Sequence, residues 1–164
     1  MEIKQHMNTE VKTCTEDENV VVVAKKMALY DIGSMVVVKT GKPVGIFTER
    51  DMLKRVVAED RDLTTVTIGD VMTREVVTIE PETSVGVAYH ICVQKNVRHI
   101  PVVKDGNLVG IISMKNLNRV IHRKMTLLIQ RTMALSQIIN QKVNLKKKNP
   151  LRTRKRRNDG FFVD

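Results

Sequence analysis

The chain of 164 residues contains no tryptophan, two tyrosines and three phenylalanines. Any core must therefore be assembled from Val, Ile, Leu and Met. Cysteine is nearly missing as well: Cys14 and Cys92 stand far apart, with no CxxC pair and no Cys/His cluster beside them. That argues against a zinc site and against a disulfide scaffold. The four histidines, His6, His90, His99 and His122, form no H-x-x-x-H pattern. Met1 to Asn8 carries no apolar h-region, and no run approaches the roughly 18 apolar residues of a membrane span. No transmembrane segment is expected, and a reducing cytoplasm is the expected setting. A nucleophile–base pair, a P-loop and a GxGxxG motif are also lacking, so neither an enzyme nor a required cofactor or metal is expected.

What is present suffices for a globular fold. The apolar share is 42%, and the length suits one ordinary domain or two small ones sharing a core. Valine runs at Val20 to Val23 and Val36 to Val38 favour strands. The net charge of +10 first suggests a polyanionic partner. It is not evenly spread. Residues 1–118 hold 15 Lys+Arg against 16 Asp+Glu, whereas residues 119–164 hold 13 against 2. The basicity belongs to the last 46 residues alone.

An internal repeat organises the rest. At an offset of 65, residues 3–53 and 68–118 are identical at 14 of 51 positions, among them Met7/Met72, Val11/Val76, Thr13/Thr78 and Gly41/Gly106. Chance gives roughly one match in fifteen. Each copy opens with an extended piece, Glu10 to Thr13 or Glu75 to Ile79. Asn19 or Ser84 then caps a helix, with carboxylates near its positive end. Two apolar runs follow, Met35 to Val38 with Val44 to Phe47, and Ile100 to Val103 with Leu108 to Ile112. Asp105-Gly106 between the latter is a strong hairpin signal. A second helix starts at Glu49 or Met114. The unit is β-α-β-β-α, and one copy is too small to cover both faces of its sheet. Two copies are expected to pack as an α+β module with pseudo-twofold symmetry, copy one spanning 1–65 and copy two 66–122. Cys14 aligns with Ile79 and Cys92 with Met27, so both thiols read as inert core residues.

In each copy a strand runs into a polar corner, Gly45-Ile46-Phe47-Thr48-Glu49-Arg50-Asp51 or Gly110-Ile111-Ile112-Ser113-Met114-Lys115-Asn116. A hydroxyl with an acceptor three residues on is capping-box spacing and needs no ligand. The same corner offers free N–H groups for a phosphate and a carboxylate for a ribose diol. Both readings stand on the residues alone.

The stretch Gly45 to Asp51 resembles the G-h-x-[ST]-x-x-[DN] signature of cystathionine-β-synthase (CBS) domains. Val97-Arg98-His99-Ile100-Pro101-Val102-Val103 resembles the strand that carries Pro-Val-Val in that family, and Val71-Met72-Thr73-Arg74 its usual entry. Two ordered sets at one offset resemble the tandem arrangement called a Bateman module. The resemblance implies a regulatory sensor that binds an adenosine-containing ligand (AMP, ADP, ATP or S-adenosylmethionine) between the copies, signals to a partner, and forms a homodimer. It implies that Asp51 holds the ribose hydroxyls, Thr48 faces the ribose-phosphate region, and Thr13, Met35 and Val36 frame the base. Arg98 and His99 would reach a phosphate. A second, weaker cleft would use Thr78, Ile100, Pro101, Ser113 and Asn116. It is weaker because asparagine replaces the charged acceptor, a difference of about 1 kcal/mol or more.

From Leu117 to about Leu145 the chain lacks Gly and Pro and repeats apolar residues with helical spacing: Leu117, Val120, Ile121, Met125, Leu128, Leu135, Ile138, Ile139 and Val143. An amphipathic extension over 123–145 is expected, packed on the module or on a twin subunit. Lys124, Arg131 and Lys142 intrude near the centre of its stripe. The basic tail over 146–164 is expected to be disordered. An alternative reading makes the module a dimerising scaffold and the tail a nonspecific binder of DNA or RNA.

Overall fold

Both copies fold by the same local rules. The computed structural model describes residues 1–148, with side chains described as far as Leu145; the expectation for a disordered tail falls largely outside them. Met1–His122 forms one compact unit and the chain from Arg123 onward a second. Copy one runs through a 3-10 turn at Ile3–Gln5, β1 (Thr13–Cys14), α1 (Val20–Leu29), β2 (Ser34–Lys39), β3 (Lys42–Thr48) and α2 (Glu49–Asp51). Copy two has α3 (Ile68–Val71), α4 (Val85–Gln94), β4 (His99–Lys104), β5 (Asn107–Ser113) and α5 (Met114–Lys148).

The caps are those the sequence announces. Asn19 Oδ1 accepts from the Val21 N–H at 2.9 Å, and Ser84 Oγ accepts from the Val87 N–H at 3.2 Å. Each hairpin turns through two residues at positive φ, Thr40 (50°) with Gly41 (79°) and Asp105 (51°) with Gly106 (77°). That is the φ pattern of a type I′ turn, whose twist suits the flanking strands. Both hairpins carry a register shift at matching places, between Val37 and Val38 and between Val102 and Val103.

Two elements depart from the sequence reading. The opening extended pieces shrink: β1 is two residues long and pairs parallel with β2, while copy two keeps only a bridge between Ile79 and Val102. The second helix of copy one is also irregular. After α2 it widens into a π-helical segment, Met52–Val57. The Ala58 N–H reaches the Leu53 carbonyl at 2.9 Å, five residues back. Arg55 from this segment donates to the Val71 carbonyl at 2.8 Å and to Thr73 Oγ1 at 3.1 Å, tying copy one to the entry of copy two.

The two copies exchange their opening turns. Ile3 is fully buried in the core of copy two with Ile79, Val85, Ala88, Ile100, Ile112 and Leu117, and Met7 packs against it. Ile68, Val71 and Met72 lie instead in the core of copy one with Val20, Val23, Met35 and Phe47. Backbone pairing repeats the exchange at the 65-residue offset. Asn8 and Ile111 bond reciprocally at 2.9 Å in both directions, and Thr73 and Ile46 at 2.9 and 3.0 Å. The cysteines are where the alignment put them, Cys14 at 2% and Cys92 at 1% exposure.

Of the apolar stripe of α5, Leu117 lies in the core of copy two with Val120 and Ile121 packed against it, while Met125, Leu128, Leu135, Ile138, Ile139 and Val143 are exposed.

Candidate functional site

The polar corners are helix starts. Thr48 Oγ1 accepts from the Asp51 N–H at 3.2 Å, and Asp51 Oδ2 accepts from the Thr48 N–H at 3.0 Å and its hydroxyl at 2.6 Å. The second Asp51 oxygen, Oδ1, faces Arg55 Nε at 3.5 Å. In copy two, Ser113 Oγ accepts from the Asn116 N–H at 3.1 Å, and its hydroxyl donates to Asn116 Oδ1. Each corner is anchored to the residue immediately before the first strand of its own hairpin. The Glu49 N–H meets the Gly33 carbonyl at 3.1 Å, and the Met114 N–H meets the Arg98 carbonyl at 2.8 Å. A Cβ at Gly33 would stand 3.2 Å from Glu49 Oε2, so the missing side chain leaves room for this carboxylate.

A cleft of about 900 Å³ opens beside the copy-two corner. Its walls come from both copies as a result of the exchange. Asn8, Glu10, Val11 and Lys12 follow the opening turn of copy one, and Tyr30 to Ser34 lead into β2. Arg98, His99, Ile111 and the Ser113 to Asn116 corner come from copy two, with Asn118 and Arg119 beyond. Four full cations (Lys12, Arg98, Lys115, Arg119) face two carboxylates (Glu10, Asp31), so the cleft favours an anion. Lys12 Nζ also sits 4.9 Å from the centre of the Tyr30 ring. Burial pushes His99 below the usual imidazole value; Glu49 opposes the shift and Arg98 adds to it. His99 thus enters the site as a neutral hydrogen-bonding group.

Of the residues singled out from sequence, Arg98, His99, Ser113 and Asn116 meet in this cleft, and Thr13, Met35, Val36, Thr48, Asp51, Thr78, Ile100 and Pro101 are not on its walls. Met35 and Val36 are buried in β2, the middle strand of the three-stranded sheet, and Ile100 is in the core. Thr13 and Thr78 are exposed, and Thr48 is half-buried. Sequence reasoning missed Glu10, Val11 and Lys12 as wall residues. It grouped Arg98 and His99 with the Thr48 and Asp51 corner, whereas the structure sets them beside Ser113 and Asn116 and the exchanged openings bring the chain before β1 alongside β5. Among the described residues no cluster of His, Cys, Asp and Glu could hold a metal ion.

The sequence pattern of the CBS domain matches residues 2–58 and again 68–123. Over 113 residues the chain is 36% identical to the mitochondrial CBS domain-containing protein CBSX3 of Arabidopsis thaliana, covering 66% of this chain and 55% of that protein. It is 32% identical over 115 residues to the CBS domain-containing protein YhcV of Bacillus subtilis, covering 70% and 81%. The chain thus spans little more than half of CBSX3. Among solved structures, a putative signal-transduction protein with CBS domains from Burkholderia ambifaria superposes with a TM-score of 0.71 at 28% identity, covering 74% of this chain and 93% of that one. The CBS domain pair of protein MJ0100, solved with 5′-methylthioadenosine and S-adenosylmethionine, superposes with a TM-score of 0.70 at 26% identity, covering 76% and 98%.

Proposed function

The chain belongs to the CBS-domain family as a tandem pair, and from that premise we propose that it is a regulatory module, not an enzyme, that binds an adenosine-containing ligand between its two copies and signals its state to a partner. The observation that carries the reading is the cleft of about 900 Å³ in which both copies converge on the Ser113 to Asn116 corner. Its volume is within the range of small-molecule sites. In this reading Asn116 accepts from the ribose, Ser113 faces the ribose-phosphate region, and Val11 and Ile32 flank the base. Arg98, Lys12, Lys115 and Arg119 neutralise a phosphate, and His99 donates to it. The MJ0100 pair, solved in complex with 5′-methylthioadenosine and S-adenosylmethionine, supports the ligand class. The Thr48 and Asp51 corner is the second subsite of the same reading, at the equivalent position 65 residues earlier in the sequence.

Calorimetry with AMP, ADP, ATP and S-adenosylmethionine tests this. Binding of at least one is expected, weakened tenfold or more by Arg98→Ala for a phosphorylated ligand. Asn116→Ala and Asp51→Ala rank the two corners. Silence with all four compounds, or affinity indifferent to Arg98, Asn116 and Asp51 alike, overturns the reading. A homodimer is part of it, and light scattering on the eluted chain reads the mass directly.

A further inference from the structure

From Gly106 to Asn158 the sequence holds no aspartate or glutamate, while it holds 14 lysines and arginines. The larger part of this stretch is one helix, α5, 35 residues long. Along it, Met125, Leu128, Ile129, Leu135, Ile139 and Val143 are 45–60% exposed. At about 100° per residue these six fall within an arc of roughly 120°. Lys124, Arg131 and Lys142 lie just outside one border of that arc, about 80–100° from its midline, with the exposed Leu127 and Ile138 on their far side, while Gln130, Gln137, Gln141 and Asn144 occupy the opposite face. Stems of lysine and arginine at such a border cover apolar surface while the charged ends reach outward to water or headgroups.

We propose that α5 beyond His122 docks on an anionic lipid bilayer, lying in the plane of the headgroups with the arc from Met125 to Val143 toward the acyl chains. Charge complementarity selects this occupant. A second copy would bring two acid-free cationic helices together with no carboxylate to offset them. A nucleic acid would take the cations and leave the apolar arc in water. A bilayer rich in acidic headgroups satisfies both faces at once, and no helix among the described residues is long and apolar enough to cross a membrane instead. The lysines at 146–148 and the arginine-rich sequence after them supply a second, electrostatic attraction, and two weak signals together are what a stable peripheral association takes.

Flotation of the full chain with vesicles tests the proposal. Binding to phosphatidylcholine vesicles containing about 30% phosphatidylserine is expected, at least about tenfold tighter than to phosphatidylcholine alone. Leu135→Gln with Ile139→Gln should weaken it about tenfold or more without changing helical content by circular dichroism. Lys124→Gln with Arg131→Gln and Lys142→Gln should weaken it on anionic vesicles only. Equal or absent binding to both vesicles overturns the proposal. So does vesicle binding untouched by Leu135→Gln with Ile139→Gln, which would assign the attraction to bulk charge shared with nucleic acid. Self-association, or capture of an acidic helical peptide, that is lost in the same variant while vesicles are ignored assigns the arc to a protein partner and overturns it as well.

Discussion

Asp31 follows α1 with a φ of +51°, and Asn96 follows α4 with the same value 65 residues later. This left-handed position ends the helix, and asparagine adopts it more readily than most residues. Aspartate is worse placed than asparagine here, because its charge faces the negative end of α1. Asp31→Asn should therefore stabilise the module by a few tenths to about 1 kcal/mol, read as a higher urea midpoint at unchanged slope. His99 gives a prediction of opposite kind. Its folded-state value lies below that of the unfolded chain, near 6.5. Between those two values the unfolded state binds more protons, so stability rises with pH. This contribution is complete above about pH 7 and is lost as pH falls through 6.5 toward the folded value. Melting between pH 7.5 and 5.5 should show that loss, and His99→Asn should flatten it. A phosphate against His99 favours the protonated ring, so a nucleotide should bind with proton uptake and S-adenosylmethionine without it; heats in buffers of different ionisation enthalpy separate the two. Burial, with the Glu18 carboxylate adding to it and Lys26 opposing it, pushes the Cys14 thiol up to about 12, and burial alone raises Cys92. Neither should react with a thiol reagent at pH 8 until the chain is unfolded.

At the scale of elements, Gly45 and Gly110 show how the opening turns are seated. A Cβ at Gly45 would come 2.2 Å from Met72 Sδ, and one at Gly110 would come 2.6 Å from Met7 Sδ and 3.2 Å from the Asn8 carbonyl. Met72 is 5% exposed and has little space to retreat. Gly45→Ala should cost about 1–3 kcal/mol. Most of that should vanish against a Met72→Ala background, so a double-mutant cycle yields a coupling well above the error of denaturation curves. Additive losses would mean that the glycine serves the strand and not the exchange. Helix starts, hairpin turns and the corner caps were legible because each is set by residues within about three positions of one another, as with Asn19, Ser84, Asp105-Gly106 and Thr48 with Asp51. The offset of 65 paired Met7 with Met72 correctly in sequence. Which core each methionine enters is fixed by contacts distant in sequence, Gly45 for Met72 and Gly110 for Met7, and periodicity carries no information about that. The π-helical segment was equally invisible, since Met52 to Val57 reads as an ordinary helix until Arg55 finds Val71 and Thr73.

At the scale of the molecule, the exchange makes the two copies one thermodynamic object. A cut between residues 65 and 66 respects the repeat in sequence but divides both cores. Residues 66–122 alone lose Ile3 and Met7, leaving Ile79, Ile100, Ile112 and Leu117 uncovered on one side. Residues 1–65 alone lose Ile68, Val71 and Met72. Removing buried side chains of this size costs about 2–5 kcal/mol each, and a domain is stable by only about 5–15 kcal/mol in total. Neither half should therefore fold by itself. The cleft should disappear with them, because Glu10 to Lys12 and the Ser113 to Asn116 corner arrive from different halves. Intact, Met1–His122 should unfold in one transition, with tyrosine fluorescence from Tyr30 in copy one and Tyr89 in copy two giving the same midpoint as circular dichroism when each is observed in a variant lacking the other. Equal amounts of the separate halves, mixed, should regain structure and ligand binding together in a concentration-dependent manner. Two resolved transitions in the intact chain, or a folded half 66–122, would show that the exchanged turns decorate cores that are complete without them.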